Sequence, residues 1–420
     1  MLGSMMRRAM LVGDGSTLSL DFTTMSTTAD MTARGLTFTR GSTGTRINAS
    51  GFVETMSNNV ARFDYDPTTL APRGLLVEGT ATNLALRSND FNSTVTDGSQ
   101  WSASGYTAGT LSATLPDGTT GNACRISVAS GSGSFRSAAI TVIASTAYTF
   151  SFWARNNGGS QARFRVWNVT AGSSIVDYTQ SVNNYVSQIG GANNTSSTWV
   201  RVSVSFTTPV GCTSIYVYPC SSDSGTVDVL IWGAQVETGA GASSLIPTGA
   251  STATRVQDQM EMADISALSY NLSVGTVALT AFWNKNASSA FPRSIRFVDA
   301  SNVVSSAIIT TTDDLLGNWP LANGTTTLET TSANVPPVAR FKYAMSASGI
   351  GNPTLATLAV ALNGTTGTIN GSASTIKPAT KLQLLYGAGA ATDYPSMTIS
   401  SLKYWPTLMT SAQLQAMTTL

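Results

Sequence analysis

Apolar and polar residues alternate strictly in six short segments in the middle of the chain. In each segment the apolar residues occupy every second position, which is the period of a β-strand with one buried face. The six segments, separated by loops rich in Gly, Asn and Ser, are 124–128, 148–155, 162–167, 199–206, 215–218 and 227–232. This pattern predicts an antiparallel β-sandwich over residues 92–250, in which one face of each sheet packs on the core and the other meets more polar surroundings.

A second group of strand patterns occupies residues 266–420. Its clearest alternating segments are 277–281, 341–345 and 382–386. The dipeptide Asn363-Gly364 is typical of a two-residue hairpin turn. Thr410 is a predicted N-cap for a short C-terminal helix that carries Leu414 on its apolar side. These patterns predict a second sandwich, so the expected fold class is all-β with two antiparallel sandwiches.

The N-terminal part of the chain is polar, and turn signals interrupt its short extended segments. Such a sequence cannot build a hydrophobic core alone. We therefore predict that residues 1–91 form an extended arm. This arm is either an assembly region that contacts neighbouring subunits or a segment packed on the first sandwich. Residues 251–265 carry a small cluster of charges and are predicted to be a linker between the sandwiches.

The composition fits a β-rich protein and limits its partners. Of the 420 residues 11% are charged, well below the ~25% of ordinary domains, and the formal net charge is +1. Such a small charge gives no reason to expect nucleic acid or an anionic membrane as a partner. No apolar run approaches the ~18 residues of a membrane helix, and the N-terminal sequence does not resemble a signal peptide.

The residue types that most enzymes use for catalysis are scarce. The chain has no histidine, which excludes Ser-His-Asp and Cys-His catalysis. Cys124, Cys212 and Cys220 show no CxxC spacing and are predicted to be buried small apolar residues in a reducing compartment. The spacing of the acidic residues does not identify a pair that could form a glycosidase site. The sequence also lacks the repeats of a parallel β-helix, which are usual in polysaccharide depolymerases. We therefore expect a protein that is not an enzyme.

Aromatic and arginine side chains alternate with the core positions of the first sandwich. Flat aromatic rings stack on the apolar faces of sugar rings, and guanidinium groups donate hydrogen bonds to hydroxyls and carboxylates. The same residue types are enriched at subunit interfaces. We interpret them as one face that binds a glycan, is covered by another subunit or segment, or is exposed to solvent without a role. The candidate residues are Trp153, Arg155, Arg163, Arg165, Trp167, Tyr216, Tyr218 and Trp232.

The sequence does not predict a metal site. Asp228 and Glu237 flank the last strand of the first sandwich, where related folds hold a structural calcium between loops. Asp313 and Asp314 lie together in a predicted loop of the second sandwich. A hydrogen-bonded or solvated role is the expectation for all four, and no cofactor is predicted.

Three stretches of the chain resemble the recurring frame of a family of tailed-bacteriophage virion proteins. They are "GFVETMSNNVARFDYDP", "PRGLLVEGTATNLALRSNDF" and "WGAQVETGAGASSLIPTGASTATR". The resemblance covers residues 36–255 and, more loosely, the C-terminal part. It implies a jelly-roll sandwich similar to carbohydrate-binding modules, followed by a concanavalin A-like sandwich.

The same resemblance implies a function on a virus particle. Members of this family are tail-fibre, tail-spike or head-fibre subunits, so we expect a virion structural protein that contacts host surface polysaccharide. It implies a homotrimer attached to other virion proteins through its N-terminal region, made in the bacterial cytoplasm and released by lysis. One alternative is a purely structural capsid-decoration or connector subunit without a ligand. Another is a polysaccharide depolymerase.

Overall fold

The structure is a computed structural model of the chain. It describes residues 14–91, 100–177, 179–222, 224–271, 274–285, 293–302, 304–310, 315–319, 328–331, 339–348, 357–366, 368–370, 379–384 and 396–420. The predicted pair Asp313 and Asp314 lies outside the described residues.

Strands dominate the described chain, which confirms the predicted all-β class. The first strands are β1 Leu18–Asp21, β2 Leu36–Thr39, β3 Gly44–Ile47, β4 Val53–Met56, β5 Arg62–Tyr65, β6 Pro72–Val77, β7 Ala81–Asn83, β8 Trp101–Ser104, β9 Thr107–Thr114, β10 Thr120–Val128, β11 Gly133–Ser137, β12 Ile140–Thr141, β13 Ala147–Asn156, β14 Arg163–Asn168 and β15 Ser173–Val176. The next are β16 Val200–Thr207, β17 Ser214–Ser222, β18 Val227–Thr238, β19 Ala253–Arg255, β20 Gln259–Met262, β21 Val274–Lys285, β22 Arg293–Val298 and β23 Val304–Thr310. The last are β24 Leu315–Trp319, β25 Leu328–Thr331, β26 Ala339–Ser348, β27 Thr357–Leu362, β28 Thr365–Thr366, β29 Thr368–Asn370, β30 Lys381–Leu384 and β31 Ser396–Trp405.

Helices are short. The α-helices of the described residues are α1 Thr28–Thr32 and α2 Ser411–Thr418, and 3₁₀ turns occur at Phe22–Thr24, Ser181–Asn183 and Ser266–Leu268. Within the described ranges, none of the helices combines the length and the apolar character needed to span a bilayer.

The chain divides into two compact units. One, here called the central unit, contains Phe52–Glu54 and Ala81–Arg255. The other, here called the terminal unit, contains the described residues up to Gly51 together with Thr55–Thr80 and Val256–Leu420. Segments from the N-terminal and the C-terminal parts of the described chain therefore belong to the same unit.

The central unit is an antiparallel sandwich, as the alternation predicted. One sheet has five strands in the order β16-β13-β18-β10-β9, and the other has six, with β12 beside β17 and the remaining strands in the order β15-β14-β17-β11-β8. Alternate residues of both sheets point into one apolar core. Inside it, the Phe152 ring meets Tyr185 edge-on at 5.4 Å and Trp101 stacks on Phe135 at 5.6 Å. The opposite positions of each strand face outward from the sandwich.

The terminal unit is a second antiparallel sandwich. One of its eight-stranded sheets has the order β28-β27-β26-β21-β31-β6-β5 with β1 beside β31, and the other has the order β2-β20-β30-β22-β23-β24-β25-β29. The predicted hairpin at Asn363-Gly364 joins β27 to β28, with both residues at positive φ. Thr410 caps α2 in a capping box with Gln413, and Leu414 is fully buried. The second sandwich and its terminal helix are thus confirmed.

The structure differs from the predicted division of the chain at the N-terminal part and at the linker. Strands β1, β2, β5 and β6 do not form a separate arm, because they hydrogen-bond into the two sheets of the terminal unit. Leu18, Phe38 and Leu75 fill its core. The predicted linker 251–265 contains β19 and β20, which pair with β7 and with β2 and β30. These segments gain a core from strands that are distant in sequence.

A fully buried ionic network joins the segments of the terminal unit. Arg62 donates to Glu78 at 2.7 Å and also to Asp258, which pairs with Arg40 at 3.1 Å. All four side chains are inaccessible to solvent. The hydroxyl of Ser396 donates to Glu78 at 2.9 Å. Burial alone would lower the pKa of Arg62, but Asp258 and Glu78 raise it above its ordinary value, so the guanidinium stays charged.

Loss of one member of this network should be costly. We expect Arg62→Met to lower the free energy of unfolding by about 3–5 kcal/mol, because two carboxylates would remain buried with one cation fewer. Lys403→Met serves as the control, since the Lys403–Asp14 pair is about one-third exposed and should contribute under about 1 kcal/mol. Urea unfolding of the full chain measures both. Equal losses in the two variants would contradict the assigned role of the network.

Asp64 gives the terminal unit a predicted pH dependence. Burial raises the pKa of Asp64 to about 6, while its hydrogen bond from the Ile47 amide opposes the rise. Between pH 4 and 6 the folded state then holds a proton that the unfolded state has lost, so stability falls as pH rises through this window. The full effect is about 3 kcal/mol.

Asp64→Asn removes this titration and keeps an oxygen that accepts the Ile47 amide hydrogen. We expect the stability of Asp64→Asn relative to the unchanged protein to increase from pH 4 to pH 7 by up to about 3 kcal/mol. Denaturant unfolding at a series of pH values measures the difference. A difference that is constant with pH would show that Asp64 titrates normally.

Candidate functional site

The eight candidate residues do not form one face, because they lie on the two different sheets of the central unit. Trp153, Arg155 and Trp232 belong to β13 and β18 of the five-stranded sheet. The other five, Arg163, Arg165, Trp167, Tyr216 and Tyr218, belong to β14 and β17 of the six-stranded sheet. Both groups point away from the core that lies between the sheets. The prediction of a single cluster was therefore wrong, and each group has its own surroundings.

The tryptophans of the five-stranded sheet are buried. Trp153 is 8% exposed and Trp232 is 3% exposed, and their rings meet edge-on at 5.6 Å. Gly233 follows Trp232 with φ +68°, and a Cβ at this position would lie 2.8 Å from the Trp153 ring. Glycine is needed here both for the left-handed backbone and for the close approach of the ring.

A segment of the central unit itself covers this sheet. Leu245 packs at the Gly233–Trp153 contact and is 2% exposed. The carbonyl of Ser243 accepts a hydrogen bond of 2.6 Å from Arg201, whose guanidinium lies 4.5 Å from the centre of the Trp153 ring. The face that contains Trp153 and Trp232 is thus closed by residues 243–246 and offers no open ring to a ligand.

Buried polar side chains hold the covering segment in place. Gln235 accepts from the Ile246 amide at 2.7 Å and donates to Glu237 at 2.7 Å. Glu237 accepts from the Ser243 amide at 2.7 Å. Asn83 donates to the carbonyls of Ala234 and Ile246, at 3.0 and 2.9 Å, and its oxygen accepts two further amides. These hydrogen bonds satisfy groups that would otherwise be costly to bury.

Arg155 differs from its two neighbours because it is half-buried rather than enclosed. Its guanidinium lies 5.5 Å from the centre of the Trp199 ring, and burial lowers its pKa. The Trp199 indole donates to the Thr114 carbonyl at 2.8 Å. This contact is separate from the covered tryptophans and from the residues of the other sheet.

The six-stranded sheet presents a different outward face, here called the arginine–aromatic face. Its residues alternate with core residues of β11, β14 and β17, and most of them are half-buried. They are Arg136, Arg163, Arg165, Trp167, Tyr216 and Tyr218. Arg165 is directly opposite Tyr218, and Trp167 is directly opposite Tyr216. Cross-strand pairing therefore brings these side chains together.

Guanidinium groups and aromatic rings are interleaved across this face. The Arg136 guanidinium lies 3.9 Å from the centre of the Tyr216 ring. The Arg165 guanidinium lies 4.2 Å from the Trp167 ring centre and 5.2 Å from that of Tyr218. These distances are within the range of cation–π contacts. Such contacts restrict the motion of the flexible arginine side chains.

The charges of this face shift the pKa values of neighbouring groups. Burial raises the pKa of Tyr218, and the positive charges of Arg165 and Arg136 oppose that rise. Asp177, just after β15, has a lowered pKa, first because of its hydrogen bonds from Thr179 and also because of Arg165. Two arginines from different strands therefore act on the same tyrosine.

Several hydrogen-bonding groups on the face have no partner among the described residues. These are the indole N–H of Trp167 and the hydroxyls of Tyr216 and Tyr218. Arg136 donates to the Ser137 carbonyl at 3.2 Å, and no described carboxylate pairs with it. The face thus combines flat rings with donors that remain available for a ligand.

Sequence reasoning missed Arg136. It lies on β11, whose sequence GSFRS is short and contains only one large apolar residue, Phe135. The alternation of Phe135 and Arg136 is too brief to mark a strand. Only the pairing of β11 with β17 brings Arg136 beside Tyr216.

The residues considered as metal ligands have protein partners. Both oxygens of Asp228 accept from Arg125, at 2.8 and 2.7 Å, and one also accepts from Asn157. Glu237 supports the covering segment described above. Across the part of the chain with described placement, no three acidic or cysteine side chains come together as a cation site.

The three cysteines are buried in the central unit, as predicted. Burial raises the pKa of Cys220 to about 12 and raises that of Cys124 further. Thiols with such pKa values are poor nucleophiles at neutral pH. Their role is packing, since all three belong to the core of the sandwich.

Comparison with known families gives a match in the central unit. The family described as "Carbohydrate binding domain" matches residues 83–225. This range contains every residue of the arginine–aromatic face and excludes Trp232. None of the curated proteins matches the chain.

Solved structures show only distant likenesses. The binding domain of botulinum neurotoxin DC, in complex with rat synaptotagmin II, is 10% identical with a TM-score of 0.32, over 38% of this chain and 39% of that one. A structure concerning cell entry of botulinum neurotoxin type C and two ganglioside molecules gives the same values. Trypanosoma rangeli sialidase is 9% identical with a TM-score of 0.26, over 34% of this chain and 22% of that one. The chain spans less than half of each, and TM-scores this low carry no argument about its function.

The two groups of aromatic residues should respond differently to truncation. We expect Trp153→Ala to lower the free energy of unfolding by about 3–5 kcal/mol, because it opens a cavity under the covering segment. Trp167→Ala should cost less than about 1 kcal/mol, because its ring lies on the open face. Denaturant unfolding of both variants measures the difference. A large loss in Trp167→Ala with little loss in Trp153→Ala would reverse the assignment of covered and open faces.

Proposed function

We propose that this protein binds carbohydrate without transforming it, and that the arginine–aromatic face is the binding surface. The observation that supports this most directly is the pair of half-buried rings of Trp167 and Tyr216, with the buried Tyr218 beside them and Arg136 and Arg165 in contact with the rings. These residues lie inside the segment matched by a carbohydrate-binding family. Aromatic rings offer their flat surfaces to the C–H faces of sugars, and the donors around them fix the orientation of the ring.

The chemistry of the face favours binding over catalysis. A glycosidase needs two carboxyl groups on either side of the bond that it cleaves. The strands β8, β11, β12, β14, β15 and β17 contain no aspartate or glutamate. The chain also has no histidine that could act as a general base. A sugar on this sheet would therefore be held and released unchanged, and the depolymerase alternative gains no support from this surface.

We further propose that the protein is a virion subunit of a tailed bacteriophage, a tail or head fibre or a spike, and that it contacts host surface polysaccharide. The support is the resemblance of three sequence stretches to the frame of that family. Polar residues of these stretches have structural roles in keeping with a recurring frame: Arg62 and Glu78 join the buried network, and Asn83 and Gln235 hold the covering segment. A homotrimer attached through its N-terminal region belongs to the same proposal.

The alternative is a structural subunit whose arginine–aromatic face is buried between copies of the chain. Both proposals use the same residues, and they differ in what covers them. Binding requires the face to be open in the assembled protein. A structural role requires the assembly to depend on the face.

A glycan titration of substituted proteins tests the binding role. We expect Trp167→Ala and Tyr216→Ala each to weaken binding of host surface polysaccharide by about tenfold or more. The first removes a stacking surface, and the second removes the ring that restrains Arg136. Trp199→Ala is the matched control, since Trp199 is a half-buried tryptophan directly before β16 of the other sheet. The affinity of this variant should equal that of the unchanged protein. Isothermal titration calorimetry of the full chain gives the affinities.

The assembled mass of each variant separates the two proposals. Mass photometry should give the same oligomer for the unchanged protein, Trp167→Ala and Tyr216→Ala. If these variants dissociate to the 43.6 kDa chain and the unchanged protein binds no polysaccharide, the face is a subunit interface and the binding proposal fails.

A further inference from the structure

We infer that the glycan taken by the arginine–aromatic face is acidic, with sugar units that carry carboxylates. This inference rests on the proposed function, because it names the class of ligand for the same surface. Three features of the six-stranded sheet support it: the charges on its strands, the balance of hydrogen-bond donors and acceptors, and the position of Arg136 against Tyr216.

The strands of this sheet carry arginines and no acidic residues, although Asp177, one residue beyond β15, interacts electrostatically with Arg165. Across β8, β11, β12, β14, β15 and β17 the charged residues are Arg136, Arg163 and Arg165. The five-stranded sheet is more balanced, since Asp228 and Glu237 lie on the same sheet as its three arginines, and Arg125 pairs with Asp228. Positive charge is thus concentrated on one sheet of a protein whose formal net charge is only +1. Charge complementarity favours an anionic ligand on that sheet.

The hydrogen-bonding groups of the face are mainly donors. A guanidinium has five N–H donors and no acceptor, and an indole has one donor and no acceptor. On this face, tyrosine and serine hydroxyls are the side-chain groups that accept. Hydroxyls of a neutral sugar both donate and accept hydrogen bonds. On a face with few acceptors, the donors of a neutral sugar would find few partners. Carboxylate oxygens only accept, which matches a surface rich in donors.

Arg136 is the residue placed best to meet a carboxylate. Its guanidinium lies 3.9 Å from the centre of the Tyr216 ring, so the ring restricts its motion, and no described carboxylate pairs with it. A guanidinium held in this way loses less conformational freedom when a carboxylate binds to its free edge. The sugar ring that carries the carboxylate would then lie beside it on Trp167.

Pairs of polymers that differ only in charge test the inference. Full-length protein is titrated with polygalacturonate, hyaluronan and polysialic acid, and with each polymer after its carboxylates have been methyl-esterified. We expect at least one acidic polymer to bind about tenfold or more tightly than its esterified form, with an affinity that falls as salt rises. Single-stranded oligothymidylate is included as an anionic chain without sugar carboxylates.

Substitutions of single arginines identify which positive charges bind the acidic polymer. Arg136→Gln and Arg165→Gln should each weaken binding of the acidic polymer about tenfold or more, because a charge-assisted hydrogen bond is lost. Arg136→Lys should be intermediate, since it keeps the charge but loses the planar fork. Arg340→Gln is the matched control: it removes one positive charge from an exposed site of β26 in the terminal unit, and should leave the affinity unchanged. Thermal unfolding confirms that each variant is folded.

The outcomes separate this inference from the proposed function. Equal affinity for acidic and esterified polymers would overturn the acidic class but leave glycan binding intact. No binding to any of the six polymers would overturn both. Oligothymidylate bound as tightly as the best polymer would assign the face to phosphate chains and overturn the inference. An equal loss in Arg340→Gln and Arg136→Gln would mean that overall charge, and not this face, sets the affinity.

Discussion

The hydrogen bonds that hold residues 243–246 on the five-stranded sheet decide which side of the central unit is open to a ligand. Gln235, Glu237 and Asn83 are buried polar groups, and each is satisfied by backbone groups of the covering segment or of the strands beneath it. Leaving such groups unpaired costs more than the net gain of making the bonds. The segment is therefore fixed in one position, and Trp153 and Trp232 become part of the packed interior.

With Trp153 and Trp232 covered, the arginine–aromatic face is an outward surface of the central unit on which several aromatic rings and guanidinium groups meet. The inward residues of the same strands, such as Phe164 and Val217, fix its backbone by packing in the core. Strand pairing then fixes which outward residues lie beside one another. Cation–π contacts hold the arginines on the rings, so the surface is organised before any ligand arrives. Preorganisation of this kind reduces the entropy lost on binding.

In the terminal unit a comparable constraint comes from the network of Arg40, Arg62, Glu78 and Asp258. Its members come from segments far apart in the sequence, and each charge is satisfied only when all of them are in place. A buried network of this kind contributes little net stability compared with apolar packing, but a missing partner is strongly penalised. The network explains why the N-terminal strands belong to a sandwich formed mainly by the C-terminal part of the chain.

Alternation along the chain predicted both sandwiches, because a strand with one buried face leaves a period of two in its own sequence. Alternation shows which residues share a side of a strand, but it does not show which sheet that strand joins. Trp153 and Trp167 therefore looked equivalent, although one is covered and the other is open. The partners of β1 and β6 were equally hidden, because each pairs with β31, more than 300 positions away. In the sequence Asn83 and Gln235 look like ordinary polar residues. Their role in holding the covering segment depends on burial, which is visible only in the folded protein.

The most direct test of this account is a crystal structure of the full chain with a bound acidic oligosaccharide. The account predicts a sugar ring stacked on Trp167, with its carboxylate within hydrogen-bond distance of Arg136 or Arg165 and with residues 243–246 still covering Trp153. A sugar bound on the five-stranded sheet after displacement of residues 243–246, or bound only in the terminal unit, would contradict it.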